Sequence, residues 1–209
     1  MKAVLLSIRP NWCKLIWSGM KTVEVRKTRP KLETPFKVYI YCTKVPQRLI
    51  TIFKDGEETM DGEIHNGKPV FIKCDELLPD SVRGKSQMVI GEFICDDIRR
   101  IGPEYCIVKE DIETAIAGSC LSIKQVKEYA GWGIGMNYAD MKDLYGWHIS
   151  DLKIWDEPVR LKNFWGMKPC RHGGDCCTCL QWDNMKEECC ASRYISRPPQ
   201  SWCYMEDSE

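Results

Sequence analysis

The sequence predicts an α+β fold: a small, mixed, mostly β, barrel-like domain with one or two short helices, followed by a Cys-rich C-terminal extension. Three observations predict it. Short apolar or alternating segments recur between glycine and proline punctuation, as strands of a compact β domain do. Two stretches carry helical spacing together with start and stop signals. The composition changes abruptly at Pro169, beyond which seven of the 13 cysteines crowd into the last 40 residues. The domain is expected over residues 1–167 and the extension over 168–209, docking back on the domain through its final residues.

The elements follow in order. Lys2 to Ile8 is a short apolar run that reads as a buried strand. Pro10 suits a first helical position, Trp12, Leu15 and Ile16 share one helical face, and Gly19 suits the left-handed residue that closes the helix. Lys21 to Lys27 alternates as a strand, with Val23 and Val25 on one side and Thr22, Glu24 and Arg26 on the other. Lys37 to Thr43 is a second strand, set off by Pro30 and Pro35. Residues 45–86 hold Asp-Gly and Asn-Gly pairs around the brief strand Pro69–Lys73, which predicts a hairpin or a mobile loop. Gln87 to Ile101 contains the long strand Met88–Cys95, where Gly91 marks a bulge or bend. Ser122 and Gln125 form a capping-box start for a helix that Gly131 stops. Trp147–Ile149 and Leu152–Trp155 read as strands before Pro158, with a turn of helix over Val159–Trp165.

Of the 209 residues 44% are hydrophobic and 29% charged, which excludes collagenous, coiled-coil and disordered classes. No window reaches the roughly 18 uninterrupted apolar residues a membrane span needs, and Arg9 and Pro10 end the first apolar stretch too early for a secretory signal. A cytoplasmic protein without membrane partners is expected. The 30 basic and 30 acidic residues cancel, against a protein that coats nucleic acid by bulk charge. Residues 1–50, however, hold 11 Lys or Arg against two Glu. A polyanion site is therefore expected among the early residues.

The strand Lys21–Arg26 offers chemistry of its own. Lys21 is a compact charge with three donors, Arg26 a planar fork suited to phosphate or a carbonyl edge, and Glu24 an acceptor for the amino protons of a base or a general base. On pattern alone, two readings stand: a shared cleft, or an exposed strand face with an unremarkable ion pair. The run Ser7-Ile8-Arg9-Pro10-Asn11-Trp12, leading through Ser18-Gly19-Met20-Lys21-Thr22-Val23-Glu24-Val25-Arg26, resembles the opening of an ASCH domain of the PUA-like superfamily, with its G-x-K-x-x-E-x-R signature. Val89–Phe93 and Trp147–Ser150 fit the same family's later strands, and the whole chain is similar to Cys-tailed ASCH proteins of Gram-positive bacteria and their phages. The resemblance implies a PUA-like β-barrel with a cleft bordered by the Lys-Glu-Arg strand.

The resemblance also implies what such a cleft does. One reading is recognition of RNA or of a modified nucleotide or nucleoside by Lys21, Glu24 and Arg26, with Trp202 and Tyr204 as a stacking face brought in by the tail. The alternative is a hydrolase acting on acylated cytidine or on RNA. The amidohydrolase pattern in the family carries Lys-x-x-Thr-x-Arg; here Lys21 and Arg26 match, but Glu24 occupies the place of the nucleophilic Thr. Attack by a carboxylate would give an anhydride, so the catalytic version assigns Glu24 as general base with Lys21 assisting, or a shifted nucleophile at Thr22. A protein-interaction module is the third class. His148, between Trp147 and Ile149, reads either as a core histidine or as a general base.

Cys170, Cys176, Cys177, Cys179, Cys189, Cys190 and Cys203 are too many and too close for unrelated buried thiols. Cys176-x-x-Cys179 is a zinc-knuckle spacing, and Gly173-Gly174 permits its turn. Cys170 or His172, and Cys189 or Cys190, can complete the four ligands of a structural zinc with Cys176 and Cys179, Cys170 and Cys189 being the expected pair, with a loosely ordered, oxidisable tail as the other reading. No organic cofactor is expected.

Overall fold

The computed structural model describes residues 2–44, 49–52, 70–73, 83–103, 109–133, 141–166, 182–183, 188–189 and 195–207. It forms a mixed α+β fold. The strands are β1 (Lys2–Ile8), β2 (Val23–Arg26), β3 (Phe36–Cys42), β4 (Leu49–Ile52), β5 (Val70–Lys73), β6 (Met88–Cys95), β7 (Ile98–Ile101), β8 (Leu144–His148), β9 (Ser150–Arg160), β10 (Trp182–Asp183), β11 (Glu188–Cys189) and β12 (Trp202–Glu206). The helices are α1 (Pro10–Trp17), α2 (Lys109–Ala115) and α3 (Ile123–Ala130), with one 3-10 turn at Leu161–Asn163.

Eight strands make two main sheets. One has the order β12-β1-β3-β6-β9, with β1 parallel to β3 and the other neighbours antiparallel; the second, β2-β8-β7, is antiparallel. Two small pairs, β4-β5 and β10-β11, stand apart from them. Among the described residues no closed barrel is formed by strand pairing; the two sheets meet at corners. The chain leaves the large sheet for the small one between β6 and β7, at Asp96–Asp97, and returns between β8 and β9 at Ile149. The corners are pinned to each other by His148 N–H donating to Asp97 O at 2.9 Å and by His148 Nδ1 against Asp96 Oδ1 at 2.6 Å. The histidine is therefore neither in the core nor in a cleft.

Both faces of the large sheet are covered, which explains why Ala3–Ile8 is continuously apolar instead of alternating. Val4, Leu6 and Ile8 pack with Cys13 and Ile16 of α1 and with Phe93 and Trp147; the opposite face holds Leu5, Tyr39, Phe164 and Met205. A third cluster joins α2 and α3 to the small sheet through Ile112, Val126, Val25, Ile101 and Leu144.

The helix signals act as the sequence predicts. Pro10 occupies the first turn of α1 and Gly19 is left-handed at φ +72°. Ser122 and Gln125 complete the reciprocal capping box, and Gly131 ends α3 at φ +79°. Gly91 sits at a register shift between β6 and β9, where a Cβ would come within 2.3 Å of the Lys153 carbonyl oxygen. The expected long strand Met88–Cys95 is β6, and Ile98–Ile101 follows it as β7 after the Asp96–Asp97 corner. One strand boundary needs correction, and one helix has no counterpart among the elements expected from the sequence. Pro158 does not end β9, which runs to Arg160, because β9 is an edge strand and tolerates a missing donor. That helix is α2: Ile112, Ala115 and Ile116 share one helical face at i, i+3, i+4, and their burial holds α2 against the small sheet.

Candidate functional site

β2 begins after a loop that runs back from α1, and its start is set by contacts made far along the chain. The Gly118 carbonyl accepts from the amides of both Thr22 and Val23, at 2.8 and 3.0 Å. Every side chain from Glu24 to Arg26 is buried, so this strand has no exposed face. A buried carboxylate and two buried cations are tolerable only if they satisfy one another. They do: Glu24 Oε2 lies 3.2 Å from Lys21 Nζ and Glu24 Oε1 lies 2.8 Å from Arg26 Nη2.

Lys21 spends its remaining protons on carbonyls, donating to Val23 O at 2.9 Å and to Ser119 O at 2.6 Å, and its ammonium sits 4.9 Å from the centre of the Trp12 ring. All three donors are committed, so Lys21 acts on its surroundings through charge. Arg26 Nη2 also donates to Ser7 O at 2.6 Å, while Nη1 makes a long 3.4 Å contact with Ser201 Oγ. Its Nε is buried without a partner among the described residues.

This cluster forms one wall of a cavity of about 650 Å³. Its other walls come from Arg9 and Trp12 of the α1 start, Gln125 and Tyr129 of α3, and the segment Pro198–Ser201 that leads into β12. That segment is held by Ser7, whose hydroxyl donates to Pro199 O at 2.7 Å and whose amide donates to Ser201 O at 2.9 Å. Partial burial pushes the Tyr129 phenol above its ordinary value, with the Arg26 charge pulling it back. Lys27 Nζ caps the Tyr129 ring at 5.0 Å. The walls therefore combine three cations, one carboxylate and two aromatic rings.

The residues singled out in the sequence separate at this point. Lys21, Glu24 and Arg26 converge on the cavity. Thr22 does not line it; its hydroxyl lies against Gly118, where an added Cβ would meet it at 2.3 Å. Trp202 and Tyr204 are not in its walls either. The tail does return to the domain, but as strand β12 beside β1, which turns Trp202 onto Trp147 at a 6.0 Å ring distance and gives its Nε1 to Thr28 Oγ1, while Tyr204 accepts from the Lys31 amide. The aromatic rings at the cavity are Trp12 and Tyr129 instead. Cys170, Cys176 and Cys179 lie outside the described residues, as does the side chain of Cys189, whose backbone is in β11.

Arg9, Trp12, Gln125 and Tyr129 were not legible as site residues. The signal for Arg9 and Trp12 is their place at the start of α1, three and six residues after Leu6. Gln125 and Tyr129 share one face of α3 at i, i+4, a spacing the sequence shows but does not connect to a strand a hundred residues earlier.

The fold and this cavity define a mixed α+β protein with a net-cationic, aromatic-walled site. Its chain is similar to solved structures of ASCH from Zymomonas mobilis, the family its opening residues resemble: at 16% identity the similarity covers 98% of this chain and 87% of the other, with a TM-score of 0.49. A tyrosine-to-phenylalanine variant of the same protein is similar over 99% and 91% of the two chains at 16% identity and a TM-score of 0.48. No family model and no curated protein matches the chain. No helix among the described residues is long and apolar enough to cross a membrane.

Proposed function

We propose that the protein binds RNA or a modified nucleotide or nucleoside in the cavity walled by Lys21, Glu24 and Arg26. The observation that carries this reading is the imbalance of the buried cluster. Two cations flank one carboxylate beside a cavity whose size, about 650 Å³, is within the roughly 300–1,000 Å³ of small-ligand sites. Trp12 and Tyr129 supply flat apolar surface on which a base can stack, and such stacking contributes about 1–3 kcal/mol per base. Glu24, with one oxygen given to each cation, orients Lys21 and Arg26.

The hydrolase alternative needs Glu24 free to take a proton, and its engagement by two cations weighs against that role. Fluorescence titration with single-stranded RNA and with nucleotides tests the binding reading. Tyr129→Ala and Gln125→Ala, both at exposed positions of α3, should weaken binding several-fold while the fold persists. Turnover of acetylated cytidine or RNA that disappears in Glu24→Gln would overturn the reading in favour of the hydrolase.

A further inference from the structure

We infer that the ligand of this cavity carries a phosphate group, and that Arg9 is the residue that holds it. The inference rests on the proposed nucleotide site and names its chemical class. It starts from which polar groups in the cavity walls are already used. Glu24 is engaged at both oxygens and Lys21 at all three protons. The Ser7 hydroxyl donates to Pro199 O. The Gln125 side-chain oxygen accepts from the Ser122 amide in the capping box, which leaves its NH2 group.

What remains is donors. Arg9 lines the cavity, is exposed, and its guanidinium makes no hydrogen bond or ion pair with the described residues. Arg26 Nη1 has its long contact with Ser201 Oγ, and the Gln125 amide is unspent. Charge points the same way: Arg9, Lys21 and Arg26 face Glu24, the single acidic residue among the described cavity walls. A donor-rich wall with two uncompensated positive charges suits an acceptor-rich dianion better than a neutral nucleoside.

Position distinguishes the roles of the two arginines. Arg26 is buried and tied by Nη2 to Ser7 O and to Glu24, so it is fixed in place. Arg9 is the N-cap of α1, its backbone extended at φ −69° and ψ 147°, and its carbonyl accepts from Trp12 and Cys13. Its backbone is thus anchored, while its fork, unpartnered among the described residues, can close on a phosphate. The ring of Trp12, one turn into α1, stands beside the same opening.

The test is calorimetric titration of the full chain with the four ribonucleosides, their 5′-monophosphates and a five-residue single-stranded RNA. The monophosphates should bind about tenfold or more tightly than the nucleosides, as a charge-assisted pair supplies. Arg9→Ala should lower monophosphate affinity far more than nucleoside affinity and so shrink that difference, and Arg9→Lys should restore part of it. Tighter binding of the pentamer than of any monophosphate, with the same Arg9 dependence, would place the phosphate in an RNA strand; the reverse order would make it a free nucleotide, and either supports the inference. Equal affinity for nucleosides and monophosphates, or an equal loss for both in Arg9→Ala, would overturn the inference and leave the nucleotide site standing. No binding of any of these probes would overturn both.

Discussion

Lys21 Nζ donates to the carbonyl oxygen of Ser119 at 2.6 Å, a bond that joins the start of β2 to the loop ahead of α3 across 98 residues of sequence. Through it, the buried Lys21–Glu24–Arg26 cluster fixes where Gln125 and Tyr129 stand. Lys21→Met should therefore destabilise the fold by about 2–4 kcal/mol, because it removes one of the two cations on a buried carboxylate and leaves two carbonyls without their donor. Arg9→Ala should change stability by no more than about 0.5 kcal/mol, as exposed positions do. Urea denaturation of the two variants compares them directly; equal midpoints would show that Lys21 is not a structural tie.

Two left-handed glycines make a matched pair of tests. Gly131, at φ +79°, faces open space, so Gly131→Ala should cost about 1–2 kcal/mol of backbone strain. Gly118, at φ +76°, has the Thr22 hydroxyl 2.3 Å from its missing Cβ. Gly118→Ala should cost a further ~1–3 kcal/mol from overpacking, and Thr22→Ala should recover most of that increment. Additive effects in the double variant would contradict the contact.

The end of β12 is latched by charge. Burial alone would raise the Asp207 carboxyl, but hydrogen bonds from Tyr39 Oη (2.6 Å) and Lys37 Nζ (2.9 Å) outweigh it and hold the group below its ordinary 3.8. The same bond to Asp207 raises Lys37 above its ordinary 10.5, against the opposing effect of burial. A lowered acid stabilises the fold above its unfolded value, and that stability is lost as pH falls through the folded one. A raised base contributes fully below its unfolded value, and its contribution is lost as pH rises through the folded one. Asp207→Asn should thus be less stable than wild type at pH 7, with the difference shrinking below about pH 4. A difference that stays constant from pH 7 to pH 3 would refute the latch.

Thiol chemistry separates core cysteines from accessible ones. Burial pushes the Cys95 thiol up to about 12 and raises Cys13 well above its ordinary value, with a hydrogen bond to Cys42 adding to the second shift. Cys120 is exposed. At pH 8, alkylation mapped by peptide mass should find Cys120 labelled in the native protein, and Cys13 and Cys95 only after unfolding. The zinc proposed for Cys170, Cys176, Cys179 and Cys189 has its own check: elemental analysis of freshly reduced protein should give one zinc per chain, and none would overturn it.

Local rules carried much of the architecture. Pro10 and Gly19 bound α1, the Ser122–Gln125 box and Gly131 bound α3, and Gly91 marks the bulge, because each acts on its own neighbours within a few residues. Lys21, Glu24 and Arg26 could be grouped for the same reason. The exposed-face reading of that strand failed because the loop at Gly118–Ser119 and helix α3 cover it, and no short-range signal reports that. Trp202 and Tyr204 have the residue types of a stacking face, yet β12 pairs with β1 and spends them on packing. The cavity's own aromatics, Trp12 and Tyr129, come from helices whose convergence is a tertiary fact. Among the described residues the strands pair as two sheets without closing a barrel, and the corners at Asp96–Asp97 and Ile149 that divide them carry no short-range signal of which sheet each strand joins.

The most direct test of the cavity's role is a backbone-amide NMR titration with nucleoside 5′-monophosphates and the pentamer RNA. Shifts concentrated at Ser7–Trp12, Leu121–Tyr129 and Gln200–Ser201 are expected, since these segments wall the cavity. An unperturbed spectrum, or shifts confined to the far strand Ile98–Ile101, would contradict the account.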